Sequence, residues 1–184
     1  KEDFVPEEPG RVRMYVCGIT SYAPSHVGHA RSMVAFDVVF RWLRRCFRDV
    51  TYVRNFTDID DKIIRAAAEL GEDPAALSMR NIELFHRDMA ALGCLPPSVE
   101  PKVTEHMPEI LDLVRRLEER SFAYRIGGDV YFDVMRFPAY GRLSQRNLAD
   151  LEAGARVEVD PRKRSPYDFA LWKAAKPGEP SWAS

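Results

Sequence analysis

Cysteine is scarce in this chain, and its three copies, Cys17, Cys46 and Cys94, are odd in number and far apart among 184 residues. That excludes a disulfide framework and fits a reducing, cytoplasmic setting. Long apolar runs are also missing. Nothing approaches the roughly 20 residues needed to cross a bilayer, and no basic-then-apolar leader opens the chain, so no membrane role is expected. An excess of positive charge is absent too: 27 Lys and Arg against 28 Asp and Glu leave a net charge of −1. A protein gripping nucleic acid mainly through phosphates carries a basic balance, so any such grip here is local or lies elsewhere. Repeats and low-complexity stretches are lacking. What remains, 46% hydrophobic and 30% charged residues, is ordinary globular composition, enough for one domain and part of another.

The ordering of patterns points to an α/β fold. Residues 1–10 are charged and proline-containing and read as a flexible lead-in. Val12 to Cys17 reads as a buried parallel strand, followed by a helix over 27–46 with Met33, Phe36, Val39, Phe40 and Leu43 at helical spacing. Residues 49–54 alternate as a second strand. Thr57 is placed to cap the next helix, with Asp60 three residues on and Gly71 at its end. Ile63, Ile64, Ala67 and Leu70 form that helix's inner stripe. Asp73-Pro74 opens another helix, lined by Ile82, Phe85, Met89 and Leu92. Val99 to Val103 could supply a third parallel strand. Strand, helix, strand, helix with tight connections predicts a Rossmann-like, doubly wound parallel sheet over residues 11–103. From 104 the rhythm changes. A helix near 105–120 presents Met107, Ile110, Leu111, Val114 and Leu117, and Tyr124 to Val134 reads as a hairpin around Gly127-Gly128-Asp129. Residues 104–184 therefore read as an inserted α+β region, with the second half of the nucleotide fold absent.

The chemistry concentrates in Met14-Tyr15-Val16-Cys17-Gly18-Ile19-Thr20-Ser21-Tyr22-Ala23-Pro24-Ser25-His26-Val27-Gly28-His29. A strand here runs through a hydroxyl-rich turn into a His-x-Gly-His quartet at a helix start. Unpaired amides and the helix macrodipole favour an anion at that place. His26 and His29 can donate to phosphate oxygens without a full charge, and Gly28 leaves room for close approach. Cys17 lies at the carboxyl end of the strand, where a parallel sheet offers side chains to a crevice. Asp58, Asp60 and Asp61 read as acids at a helix start rather than a metal cluster. Cys46 and Cys94 read as small buried hydrophobes and His86 and His106 as surface residues. Arg162-Lys163-Arg164 reads as a solvated loop, the one local patch that could meet RNA, while Trp172 and Trp182 read as packing residues.

The quartet resembles the first signature of class I aminoacyl-tRNA synthetases, and the Tyr-Val-Cys-Gly before it resembles the cysteinyl-tRNA synthetase family. The likeness recurs in order. It takes in Tyr52 to Lys62, Gly127 to Asp133, Tyr140 to Ser144, Gly154-Ala155-Arg156-Val157, Lys163 to Lys173, and Pro177 to Trp182. The resemblance implies ATP-dependent activation of cysteine to an adenylate and its transfer to tRNA(Cys), with ATP and magnesium as substrate. It places His26, Gly28 and His29 on ATP, Gly18, Thr20 and Thr57 in the amino-acid pocket, and Cys17 on a zinc ion that takes the substrate thiolate. A thiolate-seeking metal separates cysteine from serine far better than a hydrophobic pocket does. No local Cys or His pattern completes a zinc site, so its other ligands are expected outside this chain.

The turn Ser21 to Ser25 departs from the family's commoner Val-Tyr-Asp, losing a carboxylate at position 23. No Lys-Met-Ser-Lys-Ser-like loop and no anticodon-reading helical domain are present. The expectation is an amino-terminal part of a longer, monomeric enzyme, inactive by itself. Three rivals stand beside it: a related ligase that gives the cysteinyl adenylate to an amino sugar, a small-molecule adenylyltransferase, which shares the His-x-Gly-His logic but needs neither Cys17 nor the insertion, and a non-catalytic nucleotide- or protein-binding fragment.

Overall fold

The computed structural model describes residues 3–145 and 160–184, so Gly154-Ala155-Arg156-Val157 lies outside the described residues. The chain divides into two compact units, one ending at His106 and the other starting at Met107.

In the first unit, β1 (Arg11–Thr20) and β2 (Asp49–Thr57) pair in parallel, joined by α1 (Val27–Cys46). The expected strand–helix–strand unit is present. Helices α2 (Asp61–Leu70) and α3 (Pro74–Ala91) follow. Asp60 caps α2 by accepting from Lys62 N, Gly71 closes it at φ 67°, and Asp73 caps α3 through Ala76 N with Pro74 in its first turn. Thr57 is therefore not the cap it was read as. It ends β2 instead, in register with Thr20, because the ladder extends three residues further than alternation alone indicated.

The core gathers Val16, Ile19, Met33, Phe40, Tyr52, Phe56, Ile82, Phe85 and Met89 from β1, β2, α1 and α3. Both helices thus share one face of the sheet. On β1 the buried residues Val12, Val16 and Ile19 contrast with exposed Arg11, Arg13, Tyr15 and Cys17, so the strand is buried on one side only. On α1 the inner stripe is Met33, Asp37 and Phe40, whereas Phe36 and Val39 are exposed. Asp37 holds its place by polar bonds: it accepts from Leu95 N at 2.8 Å and from Arg41 Nε at 2.6 Å. Leu70 and Leu92, expected inside, are exposed at helix ends, as is Cys46.

Residues 98–102 run parallel beside β2 without becoming a strand. Val53 bridges Val99 and Phe56 bridges Lys102, with Arg54 N donating to Val99 O and Phe56 N to Pro101 O. Pro101 has no N–H, so the ladder can only accept there and pairing stays sparse. Buried Arg54 fixes this segment through Glu100, with Nη2 at 2.6 Å and Nε at 3.2 Å, and its guanidinium lies over the Phe85 ring. His86 Nε2 meets the other Glu100 oxygen at 2.9 Å. The lead-in turns back at Gly10, and Phe4 packs edge-on to Phe47.

In the second unit, α4 (Met107–Glu119) packs Val114, with Ile110 and Leu117, on an antiparallel sheet of order β3 (Ala123–Ile126), β4 (Asp129–Phe132), β5 (Phe169–Trp172). The hairpin expected around Gly127-Gly128 is β3–β4; β5 beside it was not foreseen. Asp168 is buried and ties the unit together, accepting from Tyr124 OH, Val134 N and Ser165 N. Burial, and then that carboxylate, push the Tyr124 phenol up to about 12. The basic triplet is engaged within the unit: Arg162 on Asp160, Lys163 over Tyr131, Arg164 over Tyr124 and on Asp133.

Candidate active site

β1 delivers its last residues to the start of α1 through a turn that is anchored from within. Ser21 is fully buried. Its N–H and Oγ both reach Thr57 O, its Oγ lies 2.6 Å from Ser78 Oγ, and Asn81 Nδ2 donates to its carbonyl. This buried hydroxyl, with help from α3, fixes the turn in which position 23 lacks a carboxylate. Ser21 and Asn81 were not singled out in the sequence, since a lone serine and a mid-helix asparagine give no signal.

The helix then starts on an unusual cap. His26 is the N-cap residue, and its Nδ1 accepts from Gly28 N at 3.1 Å. His29, three residues on, accepts from His26 N through its own Nδ1 at 3.2 Å. The two imidazoles complete a capping box of the kind usually built from a hydroxyl and a carboxylate. Their rings stack, with centroids 3.9 Å apart and planes at 30°.

This arrangement fixes proton positions. A neutral imidazole carries one N–H, and a nitrogen that accepts cannot carry it. With both Nδ1 atoms accepting, both rings hold their proton on Nε2, and each keeps one donor that the helix does not use. Burial, and then the neighbouring His26, lower the His29 pKa below its usual 6.5, so His29 is neutral at pH 7. The site can therefore offer two Nε2–H donors, that of His29 uncharged, beside the positive end of a helix dipole.

Gly28 makes the fold-back of His26 possible. A Cβ on residue 28 would lie 2.8 Å from His26 Cε1 and 3.0 Å from Nδ1. Ser25 Oγ, just before the cap, is buried without a hydrogen-bond partner among the described residues.

Cys17 is exposed within β1, three residues before the strand's end at Thr20 rather than at its carboxyl end, with Gly18 directly after it. Thr20 and Thr57 stand side by side at the carboxyl ends of the two strands, both half-buried. A catalytic zinc takes about three protein ligands. Cys17 offers one sulfur, and among the described residues no group of three or more His, Cys, Asp or Glu side chains could hold a metal ion. The described residues do not by themselves make up a zinc site. Asp58 bonds to Thr104 and Asp60 caps α2, structural roles that fit acids at a helix start. No helix among the described residues is long and apolar enough to cross a membrane.

Comparison with known proteins gives one consistent result. The family model described as the class I (C) tRNA synthetase catalytic domain matches residues 3–184. A cysteine–tRNA ligase from Anaeromyxobacter sp. (strain K) is 62% identical over 185 aligned residues, covering 100% of this chain and 38% of the relative. A chloroplastic/mitochondrial cysteine–tRNA ligase from Arabidopsis thaliana is 56% identical, covering 100% of this chain and 33% of the relative. Among solved structures, Mycobacterium tuberculosis methionyl-tRNA synthetase bound by methionyl-adenylate superposes with a TM-score of 0.55 at 28% identity. That match covers 64% of this chain and 23% of the other. The chain thus spans little more than a third of the curated relatives it matches.

Proposed function

Since the chain belongs to the class I tRNA synthetases of the (C) catalytic-domain family, we propose that it forms part of an enzyme that activates cysteine with ATP and transfers it to tRNA(Cys). In the first step the cysteine carboxylate attacks the α-phosphorus of ATP. The bond to the bridging oxygen breaks, and pyrophosphate leaves with magnesium. In the second step a ribose hydroxyl at the tRNA end takes the aminoacyl group and AMP departs.

The observation that carries this reading is the double imidazole cap. Its two Nε2–H donors are fixed in advance at a helix start, where phosphate oxygens gain negative charge in the transition state. Preorganised donors of this kind lower a barrier because they need no rearrangement as charge develops. His26 and His29 serve as those donors, and Gly28 keeps the approach open. Gly18, Thr20 and Thr57 line the amino-acid pocket at the strand ends. Cys17 is the sulfur this chain contributes to a zinc ion whose other ligands lie elsewhere in the protein. We place the enzyme in the cytoplasm, as a monomer.

Cysteine-dependent exchange of pyrophosphate into ATP, measured on the intact protein with tRNA, without it, and with an amino sugar as acceptor, tests the reading. Exchange with cysteine and acylation of tRNA alone are expected, and His26→Ala or His29→Ala is expected to slow exchange by about 10²-fold or more. Transfer to the amino sugar instead would assign the second step to a sugar ligase. Absence of exchange would leave a nucleotide-binding role.

A further inference from the structure

The ladder between β1 and β2 breaks at one point. Val16 pairs with Arg54 and Ile19 with Phe56, so two residues, Cys17 and Gly18, stand opposite the single residue Asn55. This is a bulge in a parallel pair, where bulges are rare, and such features commonly re-aim a side chain beside an active site. Its effect is visible in burial. Strict alternation would send Cys17 and Ile19 to the same face, yet Ile19 is buried in the core and Cys17 is exposed. Cys17 follows buried Val16 onto the open face, and the extra residue, Gly18, lets the strand return to the core at Ile19.

A bulge also removes an amide from the ladder, and Asn55 supplies the replacement. Its Oδ1 accepts from Gly18 N at 2.9 Å and from Tyr15 OH at 3.0 Å. Its backbone oxygen lies where a side chain on residue 18 would have to go, 1.5 Å from a hypothetical Cβ. Asparagine is a poor strand former, so its place inside β2, two residues before the strand's end, breaks a local rule, as functional positions often do.

We propose that Asn55 is a positioning residue for amino-acid recognition: by holding the Cys17–Gly18 bulge through Oδ1, it sets the direction in which the Cys17 thiol is presented. The proposal rests on the reading of Cys17 as a substrate-side group. It assigns Asn55 no contact with the substrate.

The test compares Asn55→Ala, which removes the acceptor, with Asn55→Asp, which keeps one at the same place, in the intact protein. Two quantities are read: the KM values for cysteine and ATP in pyrophosphate exchange, and the alkylation rate of Cys17 resolved by peptide mass spectrometry. Exposed Cys46 serves as the internal control. Asn55→Ala is expected to raise the cysteine KM about tenfold while leaving the ATP KM within about twofold, because loss of one amide bond is worth roughly that factor. It is also expected to change the Cys17 alkylation rate with Cys46 unaffected, and Asn55→Asp is expected to restore both. An unchanged cysteine KM, an equal rise in both KM values, or an aspartate variant as impaired as alanine would overturn the proposal. A Cys17→Ser variant that keeps its cysteine KM would instead defeat the reading of Cys17. The alkylation rates would then still report whether Asn55 directs the thiol.

Discussion

Replacing Gly28 by alanine separates what the double imidazole cap does for the fold from what it does for chemistry. Gly28 is not among the glycines with positive φ, so alanine meets no backbone penalty. Its Cβ would instead press on the His26 ring at 2.8 Å, closer than van der Waals contact allows. The ring is the free end of a side chain and can swing away. In doing so it loses the bond from Gly28 N at 3.1 Å and its stack on His29 at 3.9 Å. Losing a cap bond costs about 1 kcal/mol, while glycine to alanine in a helix returns up to about 1 kcal/mol. The two nearly cancel, so the melting temperature is expected to move by no more than about 4 °C. The displaced imidazole no longer offers its Nε2–H in place, and a lost preorganised donor lowers turnover about 10²- to 10³-fold. Thermal unfolding and cysteine-dependent pyrophosphate exchange on the same preparation read the two effects. Exchange within about threefold of the parent, less than ~1 kcal/mol of barrier, would refute the reasoning. So would a loss of activity that merely tracks unfolding.

Gly18→Ala is expected to do the reverse. Its Cβ would meet a backbone oxygen at 1.5 Å, an obstacle that cannot rotate away, so denaturant titration should show a loss of about 3 kcal/mol or more. His29 has a lowered pKa, so the stability it contributes is complete above its ordinary 6.5 and is lost as pH falls through the lower folded value, when a protonated Nδ1 can no longer accept from His26 N. NMR titration of the His29 ring should show the depressed value, and His26→Ala should relax it only in part, because burial is the larger cause; full relaxation would contradict this. Glu100→Ala strands the Arg54 guanidinium, whose side chain is only 4% exposed, and should cost about 3 kcal/mol in urea unfolding with little dependence on salt. A loss below about 1 kcal/mol would mean that the pair behaves as a surface bridge.

Most of the first unit was legible because its elements differ in period. The alternation of residues 49–54 and the helical spacing after 27 are distinct signals, and Asp73-Pro74 and Gly71 mark helix ends by their own backbone chemistry. Errors arose where several residues fitted a pattern equally well. On α1, apolar residues fall on nearly every side, so periodicity could not prefer Met33 and Phe40 over Phe36 and Val39. The buried position between them belongs to Asp37, which hydrophobicity could not have selected. Thr57 and Asp60 are both good caps, and the choice between them depends on where β2 ends, a property of its pairing with β1. The third strand read from Val99 to Val103 is reduced to two bridges beside Pro101, a residue already visible in the sequence but not weighed as a missing donor.

The site divides in the same way. The quartet of His26, Gly28 and His29 announces itself by residue type and spacing, yet its tautomers follow only from the cap geometry. Asn55 carries in sequence no more than its place in the Tyr52 to Lys62 block and its poor fit to a strand, since its part depends on a bulge that exists only when two strands are laid together. Gly18 and Gly28 make the point most sharply. As letters they are the same; the sequence reads Gly28 as a position of close approach, and the family resemblance places Gly18 in the amino-acid pocket. In the fold one faces a fixed carbonyl and the other a movable ring, so the first is a requirement for folding and the second a requirement for presenting His26. Substitution at each distinguishes them, because alanine at Gly18 should lower the denaturant midpoint well below the parent's while alanine at Gly28 should leave a stably folded protein with little activity.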